Sequence, residues 1–562
     1  MMLRSLAIAF LLVAFPVAAQ TAEPTRGASL MAATANPIAS ETAAKILRAG
    51  GSAVDAAVAG QLALAVVEPH ASGLGGGGLM LIWDPAKQEL VYLEGLAAAP
   101  AATPLDYAHD ATGKLIDRKR LERSGRVVAV PGAVRLLELA HGRYGRLGWE
   151  ELFEDAIALA DHGFPLPRYL HQALTARREL ARKPGFERYF DANGEPKPIG
   201  ATIRNPDLAE ALRLIAANGS AALEAGPLAE AVLAAVRQGD LPGEMTAADL
   251  VAYRAKEREP VCLIAFSRKI CSAAPPASGG ISLLQQLALL DRLGIARQAP
   301  GGVGAAHLLL EASRLAYADR RQHLGDPDQI QVPSAGLLEA GYLDARAGLV
   351  SADQAMKEVR AGQPPTKRAA LPASDPLADA ATTHLSIVDR DGGVVSFTTT
   401  NNLNFGSDLI AGGIVLNNAI TNFATTPIQD GAIAANAAAP GKRPTTTMAP
   451  TLVFGLDGKP ELIVGAGGGA RIPDSVAQTI VGILAWGMNP RAAIEQSRIG
   501  AQNRAIELER GTAAADLADG LRALGHEPRI LDMNAGVQAV LIRPEGLSGW
   551  GDSRRDGAAA AD

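Results

Sequence analysis

Cysteine is almost absent from this chain of 562 residues: there are two, Cys262 and Cys271. Two thiols make no thiolate metal site, and the nine histidines show no HExxH or comparable ligand spacing, so no metal and no cofactor is expected. Aromatic residues are only 4%, Lys and Arg are scattered, and the net charge is −6. A nucleic-acid partner would need a basic face and stacking rings, and neither is present. Long apolar runs are missing too, beyond the first 20 residues. What remains is 48% hydrophobic and 20% charged, the composition of a globular protein with a large core.

The N-terminus "MMLRSLAIAFLLVAFPVAAQ" reads as a secretory leader. Arg4 is the positive start, Leu6 to Phe15 the apolar centre, and Val17-Ala18-Ala19 a small-residue cleavage site. Residues 1–19 are therefore expected to be removed. The mature chain, with no membrane span, is expected outside the cytoplasm, in the periplasm where there is one. A buried N-terminal helix is the competing reading. Export permits a disulfide between Cys262 and Cys271, whose short separation in "VCLIAFSRKICSAAPP" suits facing positions of a hairpin. Inert buried thiols are the alternative.

Helical periodicity runs from Ser40, interrupted at Gly50-Gly51, and dominates Val134 to Leu324, as in "PDLAEALRLIAANG" and "AAHLLLEASRLAYADRRQHLGDPD". The Ala/Pro/Asp stretch from Gln363 to Ala381 has no period and is predicted to be a flexible surface segment. Strand patterns follow. "HLSIVD" and "VVSFTTT" flank a turn at Asp391-Gly392-Gly393, and "AGGIVLNN" and "APTLVFGLDGKPELIVG" read as further antiparallel strands. Gly557 to Asp562 is expected to fray.

Two glycine runs imitate nucleotide sites. Gly73 to Gly78 satisfies GxGxxG but lies after a helix and before a strand, the reverse of the dinucleotide fingerprint. "LIVGAGGGARIPDSVAQTIVGIL" has the right order of strand, loop and helix, yet the acid expected about 20 residues on is missing. Such a loop can instead aim backbone N–H groups at an oxyanion, or simply pack a helix on a strand.

Thr382 opens a strand where a loose segment ends. Taken alone it is an ordinary β-branched strand residue. A hydroxyl becomes a nucleophile when a base stands beside it, and a residue made N-terminal by cleavage carries that base as its own α-amine.

Several stretches taken together bear on that choice: "ANPIASETAAKILRAGGSAVDAAVA", "VVEPHASGLGGGGLMLIWD", "PPASGGISLLQQL", "AYADRRQHLGDPD", "TTHLSIVDRDGGVVSFTTTNNLNFG", "GKRPTTTMAPTLVF", "GAGGGARI" and "SRRDGAA". In this order, over nearly the whole mature chain, they resemble the γ-glutamyltranspeptidase family of N-terminal-nucleophile hydrolases. The resemblance implies an α+β fold, the four-layer αββα sandwich with two antiparallel sheets between helical layers. It implies a precursor that cuts itself before Thr382, giving a large subunit, 20–381, and a small subunit, 382–562. By match to the family motif Thr382 is the nucleophile, Thr400 its hydroxyl partner, and Gly468 and Gly469 the oxyanion hole. Asn402, Asn422, Thr446 and Thr447 fall at substrate-binding positions. The implied substrate is a small amide, glutathione or another γ-glutamyl compound, whose acyl group passes to water or an acceptor amine.

The chain departs from the family where the charged α-carbon of glutamate is gripped. Leu96 stands at the place of an Arg and Ala97 at that of a Glu; Ala419 stands at the place of a Gln and Asn422 at that of an Asp. Thr446 and Thr447 replace paired serines and keep the hydroxyls. The covering loop, Thr425 to Pro440, is shorter than usual. Two alternatives therefore stay open: an acylase for glutaryl-type or other amides lacking the α-amino acid group, and a non-catalytic homologue that binds.

Overall fold

The computed structural model describes residues 23–365, 372, 381–501 and 506–562. The leader, and most of the segment from Gln363 to Ala381, lie outside the described residues. Two seven-stranded antiparallel sheets stack face to face. One runs Thr25–Gly27, Gly546–Gly551, Gly536–Arg543, Pro460–Gly467, Thr451–Phe454, Arg268–Ser272, Val261–Ala265. The other runs Ala558–Ala561, Met31–Thr34, Ala381–Val388, Val394–Asn402, Gly77–Asp84, Glu89–Gly95, Lys256–Arg258. Helices cover both outer faces, which makes the four-layer αββα sandwich.

Alternation along the strands assigns the layers. In Ala381–Val388, Leu385 and Ile387 join the core that includes the helix Ala53–Val67. The even-numbered residues face the other sheet, where Ser386 donates to the carbonyl of Gln538 at 3.1 Å. Ala53–Val67 is buried at every position, and its start is fixed by a capping box between Ser52 and Asp55. A second core fills the space between the other sheet and the helices Ser278–Arg292 and Ile472–Leu484. These helices place both sheets so that the start of Ala381–Val388 meets the end of Pro460–Gly467.

Cys262 and Cys271 are register partners on adjacent strands and form a disulfide. Two expectations need correction. Of "AGGIVLNN" only Ala411 and Ile414–Val415 lie in strands, the pair Ile410–Ala411 and Ile414–Val415 forming a two-residue ladder, because Gly412 and Gly413 both adopt positive φ and make the turn. The C-terminus does not fray. Ala558–Ala561 pairs with Met31–Thr34, and the Asp562 carboxylate accepts from Ala28 N–H at 2.7 Å and Ser29 Oγ at 2.6 Å. The open edge of Met31–Thr34 supplies partners that the tail's own composition does not signal.

Candidate active site

Ala381 and Thr382 begin the central strand, and the pairing with Val394–Asn402 is irregular there: Ala381 faces Asn402 and Thr383 faces Thr399. This bulge frees Thr382 from the ladder. Its hydroxyl lies 2.7 Å from the carbonyl oxygen of Ala381 and 3.1 Å from Thr400 Oγ1. With one hydrogen, it donates to one of them at a time. Thr400 Oγ1 accepts from Asn402 N–H at 2.8 Å and donates to the Ala381 carbonyl. The two hydroxyls thus converge on the carbonyl that joins Ala381 to Thr382.

The glycine loop arrives from the facing sheet. At Gly467 a Cβ would lie 1.9 Å from the Thr382 carbonyl oxygen, so only glycine allows this approach. Gly468, at φ 140°, turns the chain into the helix Ile472–Leu484. Neither Gly468 nor Gly469 gives its N–H to a neighbour among the described residues. Thr447 Oγ1 donates to the Gly469 carbonyl at 2.8 Å, and the Tyr317 hydroxyl donates to that of Ala470. Both bonds hold the loop from behind.

The remaining sequence-derived positions differ in their freedom, and of them Asn402 is bonded to Thr400 through its N–H. Asn402 adopts φ 79°, and its amide Nδ2 faces Asn418 O, Asn418 Oδ1 and Thr421 Oγ1 at 2.9–3.1 Å. Its donors are occupied. Thr446 is fixed through its backbone carbonyl, which accepts from the N–H and the hydroxyl of Ser278, both at 2.8 Å. Asn422 is half-buried; its carbonyl accepts from Asn436 Nδ2 at 2.6 Å. Ala419 sits against an apolar cluster of Tyr107, Ile420 and Phe423. Leu96 is buried, with its N–H on Glu94 at 2.8 Å and its carbonyl on the Tyr253 hydroxyl at 2.7 Å. The fold brings Arg258 and Arg443 to this corner, but both are 3.0 Å from the buried Glu94 carboxylate and so are already paired.

Sequence reasoning passed over a polar cluster behind the strand that carries Thr382. Arg555 Nη1 donates to the Thr382 carbonyl at 2.6 Å. Glu68 accepts from Thr383 Oγ1 at 3.2 Å; burial pushes its carboxyl up to about 8, against the opposing pull of Arg555 and that hydrogen bond. Burial, reinforced by Arg555, holds His70 down at about 3. Burial does the same to His384, whose ring nitrogens contact Thr398 and Ser386 hydroxyls at 2.8 and 3.0 Å. Arg555 lies inside the quoted "SRRDGAA", but nothing in that stretch signals that one cation turns inward. Among the described residues no group of three or more His, Cys, Asp or Glu is arranged to hold a metal.

The model of the gamma-glutamyltranspeptidase family matches residues 39–562. The chain belongs to this family. Among its γ-glutamyltranspeptidase relatives is a glutathione hydrolase proenzyme of Bacillus subtilis (strain 168), 36% identical over 542 residues, covering 94% of this chain and 91% of the relative. The acylase ACY 1 proenzyme of Pseudomonas sp. (strain SE83) is 34% identical, covering 96% and 94%. In structure the chain is similar to cephalosporin acylase from Bacillus halodurans, with a TM-score of 0.84 and 25% identity over 99% of both chains. It is an enzyme of a family that joins glutathione hydrolases and acylases in one fold.

Proposed function

We propose that this chain is a self-cleaving threonine amidohydrolase and acyltransferase. The observation that carries the reading is the convergence of Thr382 and Thr400 hydroxyls on the Ala381 carbonyl, beside a glycine loop with unused N–H groups. In the precursor, Thr382 Oγ attacks the Ala381 carbonyl carbon. The C–N bond breaks, its nitrogen becomes the α-amine of Thr382, and water hydrolyses the resulting ester. Residues 20–381 and 382–562 are then the two subunits, after loss of the leader 1–19 on export to the periplasm.

In the mature enzyme the α-amine takes the Thr382 hydroxyl proton as the oxygen attacks a substrate amide. N–H groups of Gly468 and Gly469 hold the oxyanion, an interaction whose loss typically lowers rate by about 10²–10³. The amine product leaves, and the acyl-Thr382 ester passes its acyl group to water or to an acceptor amine. Glutathione or another γ-glutamyl compound is the donor that the family points to. Asn402 Oδ1, Asn422, Thr446 and Thr447 offer neutral contacts to its α-carbon.

A second reading rests on that same corner. Leu96 and Ala419 are apolar, Asn422 is uncharged, and the nearby Arg258 and Arg443 are paired with Glu94. These features suit an acyl group without a zwitterionic end, as in a glutaryl amide. A denaturing gel of purified wild type and Thr382→Ala, with amidase assays on both, tests the shared mechanism. Two bands with activity for wild type and one inactive band for the variant are expected. A single uncut wild-type chain with no activity would point to a binding homologue instead.

A further inference from the structure

Arg555 is 2% exposed, yet among the described residues no carboxylate lies within ion-pair distance of its guanidinium. A buried cation without a counter-charge is strongly unfavourable unless something else holds it. Here the contacts are all neutral. Nη1 donates to the Thr382 carbonyl at 2.6 Å, Nε donates to the Asn534 carbonyl, and the guanidinium lies 5.0 Å from the centroid of the Tyr169 ring. Two glycines make room for it: a Cβ at Gly467 would stand 2.4 Å from Nη1, and one at Gly536 would stand 2.6 Å from the Arg555 side chain.

The neighbouring titratable groups leave that charge uncancelled. Glu68, behind the same strand, has its carboxyl raised to about 8 by burial and is therefore protonated at neutral pH. His70 and His384 are held neutral by burial. Asp556 is paired with Arg168 at 2.8 Å and accepts the Tyr169 N–H. At the oxyanion loop, Arg471 is paired with Glu507 at 2.8 Å. The cation bonded to the Thr382 carbonyl thus has no ionised partner of its own among the described residues.

We infer that Arg555 is a positioning residue that also tunes the catalytic base, its guanidinium fixing the Thr382 carbonyl while its charge disfavours protonation of the α-amine on the same residue. The inference rests on Thr382 being the freed N-terminal nucleophile. Within one residue the nitrogen and carbonyl oxygen are at most about 3.7 Å apart. The amine therefore lies within about 6 Å of Nη1, a range in which a like charge lowers an amine's affinity for a proton. An ordinary α-amine titrates at about 7.7–8.0 and would be partly protonated, hence inactive as a base, at neutral pH. Arg555 keeps it free. The same residue thereby orients the nucleophile strand and sets its working pH.

The test is the acid limb of kcat/KM against pH for hydrolysis of L-γ-glutamyl-p-nitroanilide, and of glutaryl-p-nitroanilide, by the cleaved enzyme. In wild type the midpoint is expected below pH 7; a midpoint at or above about 7.7 overturns the inference. Arg555→Gln is expected to move the limb up by about one unit, so that activity at pH 6 falls far more than at pH 9, whereas Arg555→Lys keeps the wild-type midpoint. A loss of equal size at every pH would show a purely structural role and overturn the inference. Should Arg555→Gln remain uncut on a gel, the wild-type midpoint and the Arg555→Lys limb decide. N-terminal sequencing of the small subunit separates the underlying reading: a start other than Thr382 removes the nucleophile, whatever the pH profile shows.

Discussion

Thr400 donates its hydroxyl hydrogen to the carbonyl oxygen of Ala381, the residue that precedes Thr382, while its own oxygen accepts the Asn402 N–H. The contact polarises that carbonyl, the one Thr382 attacks in the proposed self-cleavage. Removing a donor of this kind typically lowers a rate by about 10²–10³. Thr400→Ala is expected to slow conversion of the full-length chain into two fragments by a factor of that order, and Thr400→Ser to restore most of it. A time course on a denaturing gel reads both. Unchanged cleavage in Thr400→Ala would remove the hydroxyl from the reaction.

Cleavage itself has a sharper readout. Thr382→Ala is expected to leave one full-length chain without amidase activity. The wild-type small subunit is expected to begin Thr-Thr-His-Leu-Ser by N-terminal sequencing.

Specificity divides the two functional readings. A charge-assisted hydrogen bond contributes about 1.5–3 kcal/mol, so absence of both ionic anchors for the α-carbon is expected to weaken γ-glutamyl recognition by orders of magnitude. The expected outcome is a kcat/KM for glutaryl-p-nitroanilide equal to or above that for γ-glutamyl-p-nitroanilide on one preparation. A strong preference for the γ-glutamyl compound would restore the glutathione hydrolase reading in full.

Burial of Glu68 makes stability depend on pH with a definite sign. Its folded carboxyl is raised to about 8 from 4.5, so the folded state holds a proton that the unfolded state releases above 4.5. The stabilising effect of that proton is fully present below 4.5 and is lost as pH rises towards 8, on the order of 1 kcal/mol per pH unit. Glu68→Gln, which cannot ionise, is expected to gain melting temperature relative to wild type as pH rises from 5 to 8. A difference in Tm that stays flat over that window would show that Glu68 is ionised in the fold.

The bridge between Cys262 and Cys271 closes a short loop on adjacent strands. Unfolded protein from an oxidising compartment is expected to show no titratable thiol. Cys262→Ser with Cys271→Ser is expected to lower stability by roughly 1–3 kcal/mol, measured by denaturant unfolding.

Much of this architecture was legible in the chain. "HLSIVD" and "VVSFTTT" alternate because one face of the sheet packs Leu385, Ile387 and Phe397 against helices, while the other presents His384, Ser386 and Thr398 to a polar seam between the sheets. The glycine loop was legible because strand, turn and helix leave a local pattern. Arg555 was not, since a basic residue in a Ser/Arg/Asp/Gly stretch ordinarily faces solvent, and only the neighbouring Gly467 and Gly536 turn it inward. Nor was the last strand: four alanines carry no β preference, and their conformation is imposed by the edge of Met31–Thr34.

That last strand has a consequence for a chain cut before Thr382. In one sheet the order from the edge is Ala558–Ala561, Met31–Thr34, Ala381–Val388, Val394–Asn402, Gly77–Asp84. Met31–Thr34, from before Thr382, lies between two strands from after it, and Thr25–Gly27 lies beside Gly546–Gly551 in the other sheet. A break at Ala381–Thr382 would leave two polypeptides interleaved like the fingers of clasped hands. An uncut chain would fold as a single molecule, at a rate independent of dilution. The processed pair, once denatured, would have to find each other again, so its recovery would depend on concentration. Maturation by such a cut would act as a ratchet, exchanging a single chain for an assembly whose persistence rests on not unfolding.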